Sequence, residues 1–343
     1  MGGHVGPRAA VSAPAPELAA FLREHRLAGE HEEGEWTALA GGVSSDIWRV
    51  RTSAATFCVK RALAQLKVAA EWTAPLDRNA YEWEYMKVAG AIVPGGVPAP
   101  IVHDEARGLF AMEWLSPGEY RLWKTELLAG RVSIAAAAAV GTLIGRVHAA
   151  TAKDTAIAFR FATDGNFHSL RIEPYLLATA RKHADLSERL HEIADVTAAT
   201  RLVLVHGDVS PKNILLGPRS PVLLDAECAW YGDPAFDLAF CLNHLIIKAG
   251  VLGDVSTDLR QAAQAMASRY LAHVGWEPAS GLEARAAALL PALALARVDG
   301  MSPLEYLNEG QRSRLRNIAR RALAANPQSL QDAMNMLLPG TPG

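Results

Sequence analysis

The sequence predicts an α+β chain of two lobes, a small strand-rich one followed by a larger, mostly helical one. Three observations point there. Up to about residue 115, apolar residues fall in short alternating runs such as Ile47-Trp-Arg-Val-Arg51 and Thr56-Phe-Cys-Val-Lys60, which suit strands. Beyond the turn at Ser116-Pro-Gly118, they recur at three- and four-residue intervals, the helical period. With 343 residues the chain can bury a large core and should form two lobes rather than one compact unit.

Taken in order, residues 1–17 are rich in Gly, Ala and Pro without the hydrophobic segment of a signal peptide, and read as a loose tail. The first lobe is assigned to 18–115. It holds a glycine-containing turn, Ala40 to Asp46, then the two strands above and a helical stretch from Asp77 to Val88. Prolines in Val97-Pro-Ala-Pro mark the turn before a further strand, and Gly108-Leu-Phe-Ala-Met-Glu-Trp-Leu115 closes the lobe. The second lobe, 116–343, carries helical patterns at Leu122–Leu128, Ile134–Ala150, Leu170–Ala180 and Leu190–Thr200. Further ones follow at Phe236–Ala249, Asp258–Val274, Leu282–Val298, Gln311–Ala325 and Leu330–Leu338.

Composition narrows the function. Half the residues are apolar and a fifth charged, as in a soluble globular enzyme, and the net charge of -2 lacks the basic footprint of a nucleic-acid partner. Cys58, Cys228 and Cys241 are odd in number and widely spaced, so neither a disulfide framework nor a zinc site follows; a reducing, cytoplasmic setting is expected. The apolar run Val132 to Ile144 is alanine-rich, shorter than a bilayer span and flanked by Arg131 and Arg146. It reads as a buried helix rather than a membrane segment.

Chemistry concentrates in His206-Gly-Asp-Val-Ser-Pro-Lys-Asn213 and Asp225-Ala-Glu227. Apolar strands Leu202–Val205 and Pro221–Leu224 precede the two halves, so Asp, Asn, Asp and Glu stand at strand ends. Magnesium prefers oxygen ligands and keeps some waters, so a few carboxylates plus phosphate oxygens suffice to hold it. Asp and Asn also satisfy turn backbone unaided. The His-Gly in front and the Asp-x-Glu behind favour catalysis.

This pattern resembles the aminoglycoside phosphotransferase, choline kinase and 5-methylthioribose kinase superfamily of the protein-kinase-like fold, where His-Gly-Asp-x4-Asn replaces His-Arg-Asp-x4-Asn. The resemblance implies transfer of a γ-phosphate from ATP (or GTP), with Mg2+, to a hydroxyl of a small molecule. It makes Asp208 the base, Asn213 and Asp225 metal ligands and Glu227 their support. His206 and Asp237, the latter in Gly232-Asp-Pro-Ala-Phe-Asp-Leu-Ala239, become structural braces. Upstream it assigns Ser44 and Ser45 to a phosphate-covering loop and Lys60 to the α- and β-phosphates. Glu82 would orient that lysine, with Glu84 as the fallback. Met112, Glu113, Trp114 and Leu115 become a hinge whose backbone meets the nucleotide base. Phosphoryl transfer needs positioning and charge neutralisation above all, and these groups supply both.

Within the superfamily, Asp225-Ala-Glu-Cys-Ala-Trp-Tyr-Gly232 is similar to methylthioribose kinases, whereas Asn213 matches aminoglycoside and choline kinases. Arg171, Trp230, Tyr231 and Arg297 are candidates for acceptor contact. Glu119, Glu126, Glu173, Asp185, Glu188 and Glu192 would suit a polycationic aminoglycoside if they lined its pocket, while aromatic rings suit a sugar or nucleoside. A nucleotide-binding pseudokinase is the rival reading, disfavoured by the intact Lys60, Asp208, Asn213 and Asp225. A protein kinase is disfavoured by Gly207 and by the lack of an Ala-Pro-Glu segment after Asp225. The acceptor's identity and the oligomeric state stay open at this level.

Overall fold

The computed structural model describes residues 16–39, 45–63 and 78–338, and the chain divides into two compact units. The first comprises residues up to Lys87 together with Pro98–Leu115; the second comprises Val88–Val97 and everything from Ser116. Residues 88–97, which the sequence pattern assigns to the first lobe, thus pack with the second unit. The expected tail falls mostly outside the described residues, but its last two positions, Pro16 and Glu17, already belong to a helix, α1 (Pro16–Glu24).

The first unit is an antiparallel sheet of β1 (Glu35–Ala38), β2 (Ser45–Arg51), β3 (Thr56–Ala62), β4 (Pro100–Asp104) and β5 (Leu109–Glu113), in the order β1-β2-β3-β5-β4. Strand alternation decides its two faces. Phe57 and Val59 of β3 join Val50, Leu109 and Ala111 in a core against Leu18, Phe21 and Leu22 of α1. Cys58 and Lys60 therefore face the other way. Helix α2 (Arg78–Ile92) buries Tyr85, Met86 and Ala89, and its Trp83 stacks on His103 of β4 at 5.3 Å between ring centroids.

In the second unit, β6 (Arg121–Leu122) leads into α3 (Trp123–Leu128), α4 (Ile134–Thr151), α5 (Thr155–Arg160) and α6 (Asp164–Phe167). A π-helical segment, His168–Leu177, precedes α7 (Ala178–Lys182) and α8 (Ser187–Ala199). Pro174 lies inside that segment. Proline has no N–H and crowds the preceding helical turn, and the wider π turn accommodates it; the Ala178 N–H reaches back to the Glu173 carbonyl. Then come β7 (Val203–Val205), β8 (Ile214–Leu216), β9 (Pro221–Leu223), β10 (Trp230–Gly232) and helices α9 (Pro234–Val251), α10 (Ser256–Leu271), α11 (Ala279–Asp299), α12 (Glu309–Ala325) and α13 (Leu330–Leu337). The two strands flanking residues 206–213 do not pair with each other. β7 pairs with β10, and β9 pairs with β8, which pairs with β6 in turn.

Every residue of α9 from Pro234 to Ala249 is buried, as expected of a helix apolar on all sides. By length and apolarity α4, α9 and α11 could each cross a membrane; here each packs against other helices of this unit. The apolar stretch read as Val132–Ile144 extends as α4 to Thr151. At the α4–α10 crossing a Cβ on Gly141 would stand 2.3 Å from the Met266 carbonyl oxygen, so only glycine lets the backbones approach. Gly141→Ala should therefore lower stability by about 1–3 kcal/mol through overpacking, read as a reduced urea midpoint. An unchanged midpoint would show that the crossing yields without strain.

Candidate active site

In the first unit the β3 pleat places Lys60 beside α2, buried at 2 % exposure. Its Nζ lies 2.6 Å from Oε2 of Glu82, itself 3 % exposed. Glu84, two residues further along the helix, pairs with Lys87 on a more exposed face at 2.5 Å. Glu82 is thus the partner. Ser45 is buried as the first residue of β2, while Ser44 lies outside the described residues. At the expected hinge, Met112 is buried in β5, and the Glu113 N–H donates to the Ala99 carbonyl at 2.9 Å. Trp114 and Leu115 are half-buried, with the Arg49 guanidinium 5.8 Å from the Trp114 ring centroid.

In the second unit the loop after β7 is braced from α9. Asp237, fully buried, accepts hydrogen bonds from the backbone N–H of His206 (2.7 Å) and of Gly207 (2.8 Å), and its Oδ2 is 3.3 Å from His148 Nε2. The Asp208 N–H donates to Nδ1 of His206 at 3.2 Å. Burial pushes the His206 imidazole below its ordinary pKa, so it serves as a neutral acceptor. Gly207 has φ +78°, and a Cβ there would meet the Cys228 carbonyl oxygen at 2.6 Å. An arginine cannot occupy this position in this backbone, which explains the glycine.

Asp208 is buried at 3 % exposure, and two cations converge on one of its oxygens. Arg171 Nη2 lies 2.9 Å from Oδ2 and Lys212 Nζ lies 3.0 Å from the same atom. Arg171 comes from the π-helical segment and also donates through Nε to the Gly207 carbonyl and through Nη1 to the Leu170 carbonyl. Burial raises the Asp208 pKa, but Arg171 and then Lys212 outweigh it, and the net shift is downward despite Asp225. The carboxylate is ionised.

The residues expected to hold a metal ion are drawn together by backbone. The Asn213 Nδ2 donates to the Asp208 carbonyl at 3.1 Å, so its Oδ1 is the atom that could accept or ligate. The Leu224 N–H donates to the Asn213 carbonyl at 2.9 Å, bringing the start of the second half of the motif against the end of the first. Asp225 follows with φ +65°, a left-handed conformation that costs about 1 kcal/mol or more for a non-glycine residue and is found preferentially at functional sites. Glu227 is buried, its carbonyl held by Asn166 Nδ2 at 2.8 Å. Among the described residues no group of three His, Cys, Asp or Glu forms a metal cage. An all-oxygen set of one amide and one or two carboxylates fits Mg2+ that shares its coordination with nucleotide phosphates.

The proposed acceptor residues have other neighbours. Arg171 holds Asp208, a role the sequence offers no spacing to reveal. Trp230 is core, stacked on Phe167 at 4.2 Å, and its indole N–H donates to Asp164 at 2.7 Å. Tyr231 is buried with its hydroxyl donating to the Leu202 carbonyl at 2.9 Å. Arg297 is buried in α11, its Nη1 donating to the Tyr175 hydroxyl at 3.1 Å and the Ser302 carbonyl at 2.7 Å. Replacing Glu82 by Gln should strand a buried ammonium, lower stability by about 3 kcal/mol and weaken nucleotide binding; urea unfolding and nucleotide titration test both. Wild-type values in both would show Glu82 to be dispensable.

Residues 35–282 match the phosphotransferase enzyme family. Methylthioribose kinase 1 of Oryza sativa subsp. japonica is 24% identical over 264 residues, covering 68% of this chain and 59% of that protein. Methylthioribose kinase of Escherichia coli O45:K1 is 22% identical over 251 residues, covering 64% and 59%. The chain thus spans under two thirds of the length of these relatives. Among solved structures, ADP-bound aminoglycoside phosphotransferase APH(2'')-Ib aligns over 94% of this chain and 99% of its own with TM-score 0.50 at 14% identity. Amicoumacin kinase hAmiN, in complex with AMP-PNP, Ca2+ and Ami, aligns over 86% and 90% with TM-score 0.52 at 13% identity. These likenesses concern the two-lobed kinase-like fold. With the matched region covering well over half of its length, the chain belongs to the phosphotransferase enzyme family.

Proposed function

We propose that the chain is a small-molecule O-phosphotransferase that moves the γ-phosphate of ATP or GTP to an acceptor hydroxyl. The observation that carries this reading is the buried, ionised Asp208 with both cations on Oδ2, tied through Asn213 to the residue before Asp225. Oδ1 is then the atom that receives or orients the hydroxyl proton. The hydroxyl oxygen attacks phosphorus, the bond to the leaving diphosphate breaks, and the proton passes to the carboxylate.

Lys60, fixed by Glu82, would hold the nucleotide phosphates. Asn213 and Asp225 would hold Mg2+, supported by Glu227; the ion supplies charge neutralisation on the phosphates. Lys212, half-exposed and paired with Asp208, would follow charge from that carboxylate towards the transferred group. The methylthioribose kinase relatives favour a sugar-like acceptor, and the buried free thiols Cys58, Cys228 and Cys241 suit a reducing, cytoplasmic setting. A pseudokinase would have no use for a clamped, ionised base.

Asp208→Asn should reduce turnover by roughly 10²–10⁴-fold while nucleotide affinity holds, measured as acceptor-dependent ADP release beside nucleotide titration. Near-normal turnover would remove Asp208 from its role. Asp225→Asn should instead weaken nucleotide binding in the presence of Mg2+; if it binds Mg-nucleotide like the wild type, Asp225 is no ligand.

A further inference from the structure

Behind the clamp on Asp208, the second unit holds a group of cations that the transfer mechanism does not use. Lys248, in the fully buried stretch of α9, is 1 % exposed. Its polar neighbour is the Tyr306 hydroxyl at 3.4 Å, with the ammonium 5.2 Å from that ring's centroid. Among the described residues no carboxylate comes within ion-pairing distance of it. Burial, with Lys124 and Arg297 nearby, pushes its pKa down to about 8, so it is still mostly a cation at neutral pH. Glu305 acts on it from a distance but is already paired with Lys124 at 2.7 Å.

Arg297 adds a second charge met by neutral partners. Its Nη1 is satisfied by Tyr175 and Ser302, while its Nε is buried without a partner. His244, on the same helix as Lys248, feels Arg297, Lys248, Lys212 and Lys124; burial and these cations hold it well below its ordinary pKa, hence neutral. The group adjoins the base. The Arg171 and Arg297 guanidinium groups both lie over the Tyr175 ring, at 5.9 and 5.6 Å from its centroid.

A buried ammonium with only a phenol for company is costly unless something anionic completes it. We propose that the acceptor of this phosphotransferase is itself an anion, a hydroxyl compound whose carboxylate or phosphate group is received by Lys248 and Arg297, with Lys124 at the edge. This rests on the reading of the chain as a small-molecule kinase and names its substrate class. A polycationic acceptor would meet like charge at the same place.

The test is calorimetric titration of the full chain, loaded with Mg2+ and a non-hydrolysable ATP analogue, with gluconate, ribose 5-phosphate, ribose and kanamycin. At least one of the two anions should bind ten-fold or more tightly than ribose or kanamycin, and which one binds separates carboxylate from phosphate. Lys248→Met, which removes a buried charge and should fold at least as well, should weaken that anion by roughly ten- to a hundred-fold. Arg297→Lys should retain more anion affinity than Arg297→Met. Binding of neither anion, equal or tighter binding of ribose or kanamycin, or an unchanged anion affinity in Lys248→Met overturns the inference. ADP release with a neutral or cationic acceptor would then leave the kinase reading intact, whereas failure to bind Mg-nucleotide at all would bring down that reading as well.

Discussion

The active region of the second unit is organised around one constraint, that a carboxylate must stay charged while buried. An isolated buried carboxylate would take up a proton, since desolvation of the ion outweighs any benefit of burial. Arg171 and Lys212 reverse that balance at Asp208, and both do so at Oδ2. The consequence is an asymmetric carboxylate, with both cations committed to one of its two oxygens. Arg171 can reach this position because the π turn around Pro174 carries it inward, where Tyr175 and Phe240 flank its guanidinium. Geometry that looks like a local irregularity in a helix thus helps to keep Asp208 ionised.

The loop that carries Asp208 is held from beneath by a second buried carboxylate with a different task. Asp237 takes two backbone N–H groups and lies against His148, whose Nδ1 is 2.9 Å from the Tyr270 hydroxyl. Helices α4, α9 and α10 are thereby joined to two consecutive loop residues, His206 and Gly207, so the position of Asp208 is set by the helical core rather than by the loop itself. Gly207 follows from the same arrangement. The loop is pressed so closely on Cys228 that no side chain fits at the residue before the base. An arginine is excluded at this position, and Arg171 supplies a guanidinium to Asp208 from elsewhere in the chain.

How much of this was legible in the sequence depends on the range of each interaction. The two-lobed α+β class and the long helices follow from local period and from the order of elements, whereas the pairing of Lys60 with a glutamate of the next helix came from the family resemblance. The choice of Glu82 over Glu84 follows from helix phase: Glu82 shares a face with the buried Met86, while Glu84 turns to Lys87. The phosphate loop around Ser44 lies outside the described residues. What was not legible is the long-range pairing. β9 pairs with the intervening β8 instead of β7, since two apolar tripeptides carry no record of their partner. Leu170–Ala180 has a helical period, and Pro174 alone hinted that its turn would widen. Trp230 and Tyr231 have the chemistry of a sugar-binding platform, but a strand pairing with β7 turns both inward.

Charge placement in the helical unit completes the picture. Six acidic residues in this part of the sequence would suit a polycationic acceptor if they lined a pocket, and four of them are already engaged. Glu126 is paired with Arg131 and Arg121, Glu173 with Arg181, Asp185 with Arg320 and Glu192 with Arg189. Most of these pairs are solvent-exposed on at least one side, where each contributes little to stability but occupies four of the six carboxylates. The interior shows the opposite balance, with Lys248 and Arg297 buried against tyrosines, a serine and a neutral histidine. These four carboxylates are matched by arginines, whereas among the described residues no carboxylate pairs with Lys248 or Arg297. Such an imbalance is tolerable in a folded protein when the missing charge arrives with the substrate, and a site so arranged would discriminate among acceptors by sign before it does so by shape.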